Sequence, residues 1–302
     1  MDSVALIGLV GAGIAWRRIA RLPSAEVVRR SVSSLVFYVL LPALTFRSML
    51  HAPLGDVLWK VPLAASVGIV VASAIALVVT RKQILPHRAA AAALAAGWGN
   101  VTYLGIPVLS AAFGNEATFV AVLYDFAAST PLLWTLGVAL AVRNVHDRSQ
   151  VESPWRRVSA VPPLWAAVAG ILGNAIALEI PPLADRMLWL LGSAVVPLMM
   201  FVLGLSLRWE YLRRWRELVP VAALKLTLAP LVVLGVGIAI GLQGTILRAV
   251  LLEAAMPTMM LTLVVAERYR LDVEYIAAAI ALTTVASAAT LPLWWWLGSM
   301  LG

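Results

Sequence analysis

The sequence predicts an all-α, polytopic membrane protein of ten transmembrane helices. Three observations carry this. The 302 residues are 62% hydrophobic and 13% charged, with a mean hydropathy of +0.93, where a soluble domain carries roughly 25% charge. The apolar residues fall into long runs, and a helix needs about 20 such residues to cross a hydrocarbon core roughly 30 Å thick. The basic residues gather in alternate gaps between those runs. The formal net charge of +8 therefore forms no single patch for nucleic acid and has the distribution of a membrane protein. There is no Cys, which excludes disulfides, thiol nucleophiles and thiolate metal sites. His51, His87 and His146 all fall in predicted loops, so no His-ligated metal centre is expected within the membrane. No cofactor is expected.

Taken in order, spans are expected near residues 3–16, 31–50, 60–80, 89–112, 117–142, 160–178, 187–207, 217–241, 247–266 and 273–298. The first is the shortest. A signal peptide carries its positive charge before the apolar run, whereas Arg17, Arg18 and Arg21 come after this one. Of the 23 Lys and Arg residues, 18 lie in one alternate set of loops. Arg47, Lys60, Arg186 and Arg248 lie in the other set, and Lys225 lies within a span. The positive-inside rule assigns the richer loops to the cytoplasm. Both termini are then outside, in a multi-pass protein of the cell (inner) membrane. Trp294, Trp295 and Trp296 fit an interfacial aromatic belt.

The loop at 143–159 divides the chain into halves, 1–142 and 160–302, of five spans each. The halves are self-similar. LLPALTF (40–46) in the second span matches VVPLMMF (195–201) in the seventh, and LGIP (104–107) in the fourth matches AAMP (254–257) in the ninth. Pro42 and Pro107 are 65 residues apart, Pro197 and Pro257 60. A duplicated unit of five spans must insert its second copy upside down. Inverted repeats with interrupted helices in matching positions point to a secondary transporter whose site lies near the midplane, where the breaks meet.

GNVTYLGIPVLSAAFG (99–114) resembles the fourth-span signature of the auxin efflux carrier family. MPTMMLTLVVAERYRLD (256–272), followed by LTTVASAATLPL (282–293), is similar to that family's C-terminal pattern. The resemblance covers essentially the whole chain. It implies two inverted five-helix repeats with broken helices 4 and 9 crossing at their prolines. It also implies a transport domain that moves against a scaffold domain, each drawn from both repeats. The implied substrate is a small organic anion, an auxin-like or other carboxylate, and related carriers form homodimers through the scaffold. The central loop, about 17 residues here, lacks what larger relatives place in a long one.

Within GNVTYLGIP, Pro107 has no N–H and deprives the carbonyl near Tyr103 of its helical partner. Gly105 lets the backbone leave the helix. Freed backbone groups at membrane depth are tolerated only inside protein or along a water-filled cavity. Pro107 alone is compatible with a simple kink; with Pro257 in the matching place the reading is a functional break. Each half-helix after a break presents free N–H groups and a partial positive charge, which suits a carboxylate. Asn100 contacts substrate at the crossover or makes an interhelical hydrogen bond. Tyr103 lines the same cavity or packs. Thr258 and Thr262, four apart on one helical face, line the pore or bond back to helix carbonyls. Asp125, Lys225 and Glu253 lie within spans, where charge is expensive and marks function by default. The alternatives are a structural Lys225–Glu253 ion pair and an ion- or proton-coupling carboxylate. Thr283, Ser287 and Thr290 read as a packing face of the last span.

The leading function is efflux of small organic anions by alternating access, not an enzymatic reaction. Alternatives are proton- or sodium-coupled uptake of a carboxylate, and a non-transporting sensor, which lacks an output domain after the tenth span. Tyr124-Asp125 matches one half of an intramembrane aspartyl-protease pair, but no Gly-x-Gly-Asp partner is present. The absence of a Walker-type glycine loop excludes ATP-driven pumping by this chain.

Overall fold

The computed structural model describes residues 3–19, 22–80, 86–142, 153–206 and 215–301. Every regular element among them is a helix. In chain order these are α1 (Ser3–Trp16), α2 (Ala25–Leu50), α3 (Val57–Thr80), α4 (Pro86–Gly97), α5 (Val101–Phe113), α6 (Asn115–Val142), α7 (Pro154–Ser159), α8 (Pro162–Ala175), α9 (Pro182–Ser206), α10 (Trp215–Ala239), α11 (Gly244–Ala254), α12 (Leu261–Arg268) and α13 (Val273–Ser299). Six of them, α2, α3, α6, α9, α10 and α13, are long and apolar enough to cross a membrane.

The other four expected spans differ. α1 and α8 occupy the expected places but hold only 14 residues each. α8 stops where Ala177 turns to positive φ and the Leu178 N–H donates to Gly173 O. The expected spans 89–112 and 247–266 are each split into two helices. α2 starts six residues earlier than expected, because Ser24 caps it and Glu26 pairs with Arg29 and Arg30 in its first turns. His87 lies in α4, not in a loop. Trp294 is buried and donates its indole N–H to Leu226 O, so only Trp295 and Trp296 have the exposure of a belt. Residues 143–152 of the expected linker lie outside the described residues, as do Arg21, Arg81, Lys82, Arg148, Arg208, Arg213 and Arg214.

Prolines within these helices do not end them. π-turns at Val36–Leu40, Val101–Gly105, Asp125–Ser129 and Leu224–Leu228 each stop two residues before Pro42, Pro107, Pro131 and Pro230. A proline ring clashes with the carbonyl four residues back and leaves it without a donor. Widening the preceding turn relieves both problems, and the helix continues. Leu226 O, four residues before Pro230, takes the Trp294 indole instead.

The helices form two compact units, each assembled from three stretches of chain. Unit 1 comprises residues 1–55, 102–122 and 159–207. Within it α8 packs along the second half of α2, and α1 packs along the second half of α9. The α1–α9 contact is close because Gly13 faces Gly204. A Cβ on Gly204 would overlap the Val10 carbonyl, and one on Gly13 the Phe201 carbonyl. Small residues let helix backbones approach in this way.

Unit 2 comprises residues 56–101, 123–158 and 208–302. α3 packs on α4 and on α10, and α13 lies against α10 and α11. The starts of α4, α10 and α13 are tied together by Arg88. Its Nε donates to Asp272 Oδ2 at 2.7 Å, and its guanidinium lies 3.6 Å from Glu217 and 5.8 Å from the Tyr275 ring centroid. The other Asp272 oxygen accepts the Tyr275 N–H at 2.9 Å and caps α13.

Two outcomes are expected for purified protein. Gly204→Val, which forces α1 and α9 apart, lowers stability by about 1–3 kcal/mol, read as a drop in Tm. Asp272→Asn removes a charged hydrogen-bond acceptor and costs about 1.5 kcal/mol or more. Burial pushes the Asp272 carboxyl up, but the Tyr275 N–H and Arg88 outweigh it and hold the group below its ordinary value. The Asp272 contribution is therefore full above an unfolded-state value of about 3.9 and is lost as pH falls through the lower folded one. A Tm series from pH 7 to pH 3 shows an acid-side loss that Asp272→Asn flattens.

Candidate functional site

The site is built from two helix interruptions that lie in unit 2, at residues 98–100 and 255–260. α4 ends at Gly97, and Trp98, Gly99 and Asn100 run extended before the chain re-enters helix at Val101. α11 ends at Ala254, and helix resumes at Leu261. The two interruptions pair antiparallel at Gly99 and Thr258. The Asn100 N–H donates to Pro257 O at 2.7 Å, and the Met259 N–H to Trp98 O at 2.9 Å.

Other polar groups around the breaks also find partners. Ala95 O, four residues before Gly99, accepts the Thr258 hydroxyl at 2.8 Å. The Thr258 N–H donates to Thr283 Oγ1 at 3.0 Å. Ala254 O accepts the Lys225 ammonium at 2.7 Å. The Trp98 indole N–H donates to Ser129 O at 2.9 Å. Unpaired backbone in a low-dielectric interior costs several kcal/mol per group, so this short β-like pairing stands in for the missing helical turns.

Gly99 is packed closely in the same arrangement. A Cβ there would lie 3.2 Å from Lys225 Nζ, 3.3 Å from Lys225 Cε and 3.5 Å from Met256 O. Lys225 is buried to 1% exposure in the π-turn before Pro230, and its ammonium lies against the crossing strands. Glu253, in the last turn of α11, is fully buried, and neither carboxyl oxygen has a hydrogen-bond partner among the described residues. It lies within electrostatic reach of Asp125 and Lys225. Asp125 opens the π-turn before Pro131 and accepts the Thr130 hydroxyl at 2.8 Å.

Several sequence expectations change. The break in the fourth span lies at Trp98–Asn100, not at Gly105 and Pro107. Gly105 has ordinary right-handed helical angles, and Pro107 is buried inside a helix that the π-turn at Val101–Gly105 keeps continuous. Of the two paired interruptions, only the one between α11 and α12 contains a proline, Pro257. Tyr103, Gly105 and Pro107 belong to unit 1, while Asn100, Pro257, Thr258, Thr262, Asp125, Lys225 and Glu253 belong to unit 2. Thr258 is not helical, so it shares no helical face with Thr262. Both hydroxyls are buried and donate to carbonyls, Thr258 to Ala95 and Thr262 to Met259. No ion pair joins Lys225 to Glu253 among the described residues, because Lys225 is held by Ala254 O. Asn100 is buried, and its main-chain N–H makes the crossover contact. Trp98 and Gly99 in the first interruption and Thr283, which is bonded to the second, are residues that the sequence reading passes over. The Gly-Trp-Gly run at 97–99 is the available signal, since two glycines around a bulky residue are poor material for a helix interior.

Comparison with known proteins shows the family. Residues 25–295 match the family described as membrane transport protein. An uncharacterized transporter of Methanothermobacter thermautotrophicus is 30% identical over 268 residues, 87% of each chain. A putative malonate transporter of Rhizobium meliloti is 25% identical over 270 residues, 86% of this chain and 83% of the relative. A probable auxin efflux carrier component 1b of Oryza sativa is 24% identical over 152 residues, 48% of this chain and 27% of the relative. A family match over nine-tenths of the sequence, on a chain of membrane-length helices, places this protein in the membrane transport protein family that contains the auxin efflux carriers.

Proposed function

We propose that this protein is a secondary transporter that exports small organic anions, auxin-like or other carboxylates, by elevator-type alternating access around the α4/α5 and α11/α12 crossover. The observation that carries the reading is the paired interruption itself, Asn100 N–H on Pro257 O and Met259 N–H on Trp98 O. Irregular backbone at membrane depth is typical of substrate and ion sites in transporters. Asn100 stands at the start of the half-helix after the first break, where N–H groups and the helix dipole favour a carboxylate. The name of the Rhizobium meliloti relative supports a carboxylate substrate.

The same reading counts ten spans, with α4/α5 and α11/α12 as interrupted ones and α1 and α8 as short ones. It divides the chain into inverted repeats 1–142 and 160–302, and puts both termini outside the cell membrane. Assembly as a homodimer through the scaffold belongs to it as well. The outcomes would be a light-scattering mass of two protein chains per particle and thiol labelling of terminal cysteines from outside.

Coupled uptake of a carboxylate is the second reading, and Glu253 favours it. A buried carboxyl without hydrogen-bond partners, within reach of another acid and a lysine, is a natural place for a proton or sodium ion to enter and leave.

Transport currents on solid-supported membranes test both. With malonate and a panel of carboxylates, Asn100→Ala is expected to cut the current about tenfold, the loss of roughly one charge-assisted hydrogen bond. This variant keeps the main-chain N–H and so leaves the crossover intact. An unchanged current would take the Asn100 side chain out of substrate binding, and no current with any carboxylate would overturn the anion reading. Gly99→Ala is expected to displace Lys225 and lower both Tm and current. Under coupled uptake, Glu253→Gln abolishes the response to a pH or sodium gradient; gradient-insensitive current in the unmodified protein rejects coupling.

A further inference from the structure

Unit 1 contains a cavity of about 240 Å³ that none of the crossover residues lines. It is bounded by the second half of α2, the end of α5, the start of α6 and the first half of α9. Arg47 is the one charged side chain among its lining residues, and Ser48, Ser110, Asn115, Thr118 and Ser193 supply most of the rest of its polar surface. Drug-sized ligands occupy pockets of roughly 300–1,000 Å³, so this one suits a smaller molecule.

The guanidinium is held from behind. Arg47 Nε donates to Asp185 Oδ1 at 2.7 Å and Nη2 to Asp185 Oδ2 at 2.9 Å. Both side chains are about one-third exposed, 33% and 31%, so the pair is shielded from full solvent screening yet reachable. A guanidinium has five N–H donors in a rigid fork. Asp185 takes two, and the other three have no acceptor among the described residues. Among the neighbouring groups the Asn115 amide is the free donor, since each lining hydroxyl already gives its proton inside the protein. The Ser110 hydroxyl hydrogen-bonds Asn115 Oδ1, which leaves the Asn115 amide nitrogen as that side chain's open end. Thr118 and Ser48 hydroxyls are 3.0 Å apart, with Thr118 anchored on Asn115 O at 2.7 Å.

We propose that this cavity is a binding site for a small carboxylate, with Arg47 as the group that recognises the anion and Asp185 as the residue that positions it. The bidentate pair fixes the plane of the fork, so the free N–H groups meet a carboxylate without a search over rotamers. The Asn115 amide then adds a further donor, and no acidic side chain among the lining residues repels the ligand. The site is separate from the crossover residues of unit 2, and it rests on the transport reading only for the use made of the bound anion.

The chain contains no Cys, which allows a test that does not depend on transport. Ser193 lines the cavity and donates only to Leu190 O of its own helix, so Ser193→Cys adds one reporter thiol at low structural cost. In nanodiscs, the anionic sulfonatoethyl methanethiosulfonate is expected to modify it faster, relative to the cationic trimethylammonium reagent, than it modifies a free thiol. The excess should be about tenfold, the lower range of electrostatic focusing in a cleft. Malonate should protect the thiol, and propane-1,3-diammonium should not. Adding Arg47→Gln should remove both the excess and the protection. Arg47→Lys should keep the excess and lose most of the protection, because a point charge does not reproduce the fork. Asp185→Asn should raise the excess while weakening protection, since it removes a negative charge and the anchor together.

A reactivity ratio unchanged by Arg47→Gln, an unreactive thiol, or protection by the diammonium equal to that by malonate would each overturn the site. Should Arg47→Gln fail to fold, the comparison of malonate with diammonium on Ser193→Cys alone decides. Protection without malonate current would uphold the site while counting against malonate transport. Malonate current without protection would reject the site and leave the transport reading standing.

Discussion

A main-chain N–H or C=O at membrane depth must find its partner inside the protein, and the paired interruptions of unit 2 answer that requirement. Interrupting two helices frees carbonyls and amides that water cannot reach. The interruptions satisfy each other through two main-chain bonds. Three side chains complete the account, one from the second interruption and two from elsewhere in the unit: Thr258 on Ala95 O, Thr283 on the Thr258 N–H and Lys225 on Ala254 O. A lysine buried to this depth is expensive. Here its amino group does what a helical N–H would have done. Gly99 answers to the same constraint, because the ammonium occupies the space a side chain would take.

Prolines show the opposite solution to a related problem. Four of them sit two residues after a π-turn and leave their helices unbroken. Asp125 and Lys225, two of the three buried charged residues among those described, lie in these wide turns. A π-turn admits one extra residue and re-aims the side chains on its C-terminal side, which is one reason such turns recur at functional sites. The chain thus uses proline to shape continuous helices and reserves true interruption for the paired strands.

This division explains what could be read from the sequence. α3 and α13 were legible to within a few residues, because an uninterrupted apolar run of span length has few other solutions. The charges at 125, 225 and 253 were legible as buried because no loop lay near enough to rescue them. The position of the first break was not. Pro107 is the conspicuous residue, but a π-turn, which leaves no compositional mark, absorbs it. The real break at Trp98–Asn100 depends on partners 150 and more residues away in the chain, Thr258 and Met259, and a local pattern does not contain them. The partner of Lys225 was illegible for the same reason, since a main-chain carbonyl has no letter in the sequence. The cavity at Arg47 was illegible too, because its residues come from four helices and individually look like ordinary helix ends.

The composition of the units has a consequence for how the protein is made. Each is assembled from three separate stretches, and the chain passes from one to the other after residues 55, 101, 122, 158 and 207. During synthesis, unit 1 has all of its chain once residue 207 is available, whereas unit 2 waits for the final helix. For much of translation the ribosome has therefore delivered α4 with its frayed end and the buried-charge helix α6, but not α10 or α11 to close them. These early segments wait in the bilayer or the insertion machinery with polar groups still unmatched. The order of the stretches along the chain thus makes unit 2 the later of the two to close.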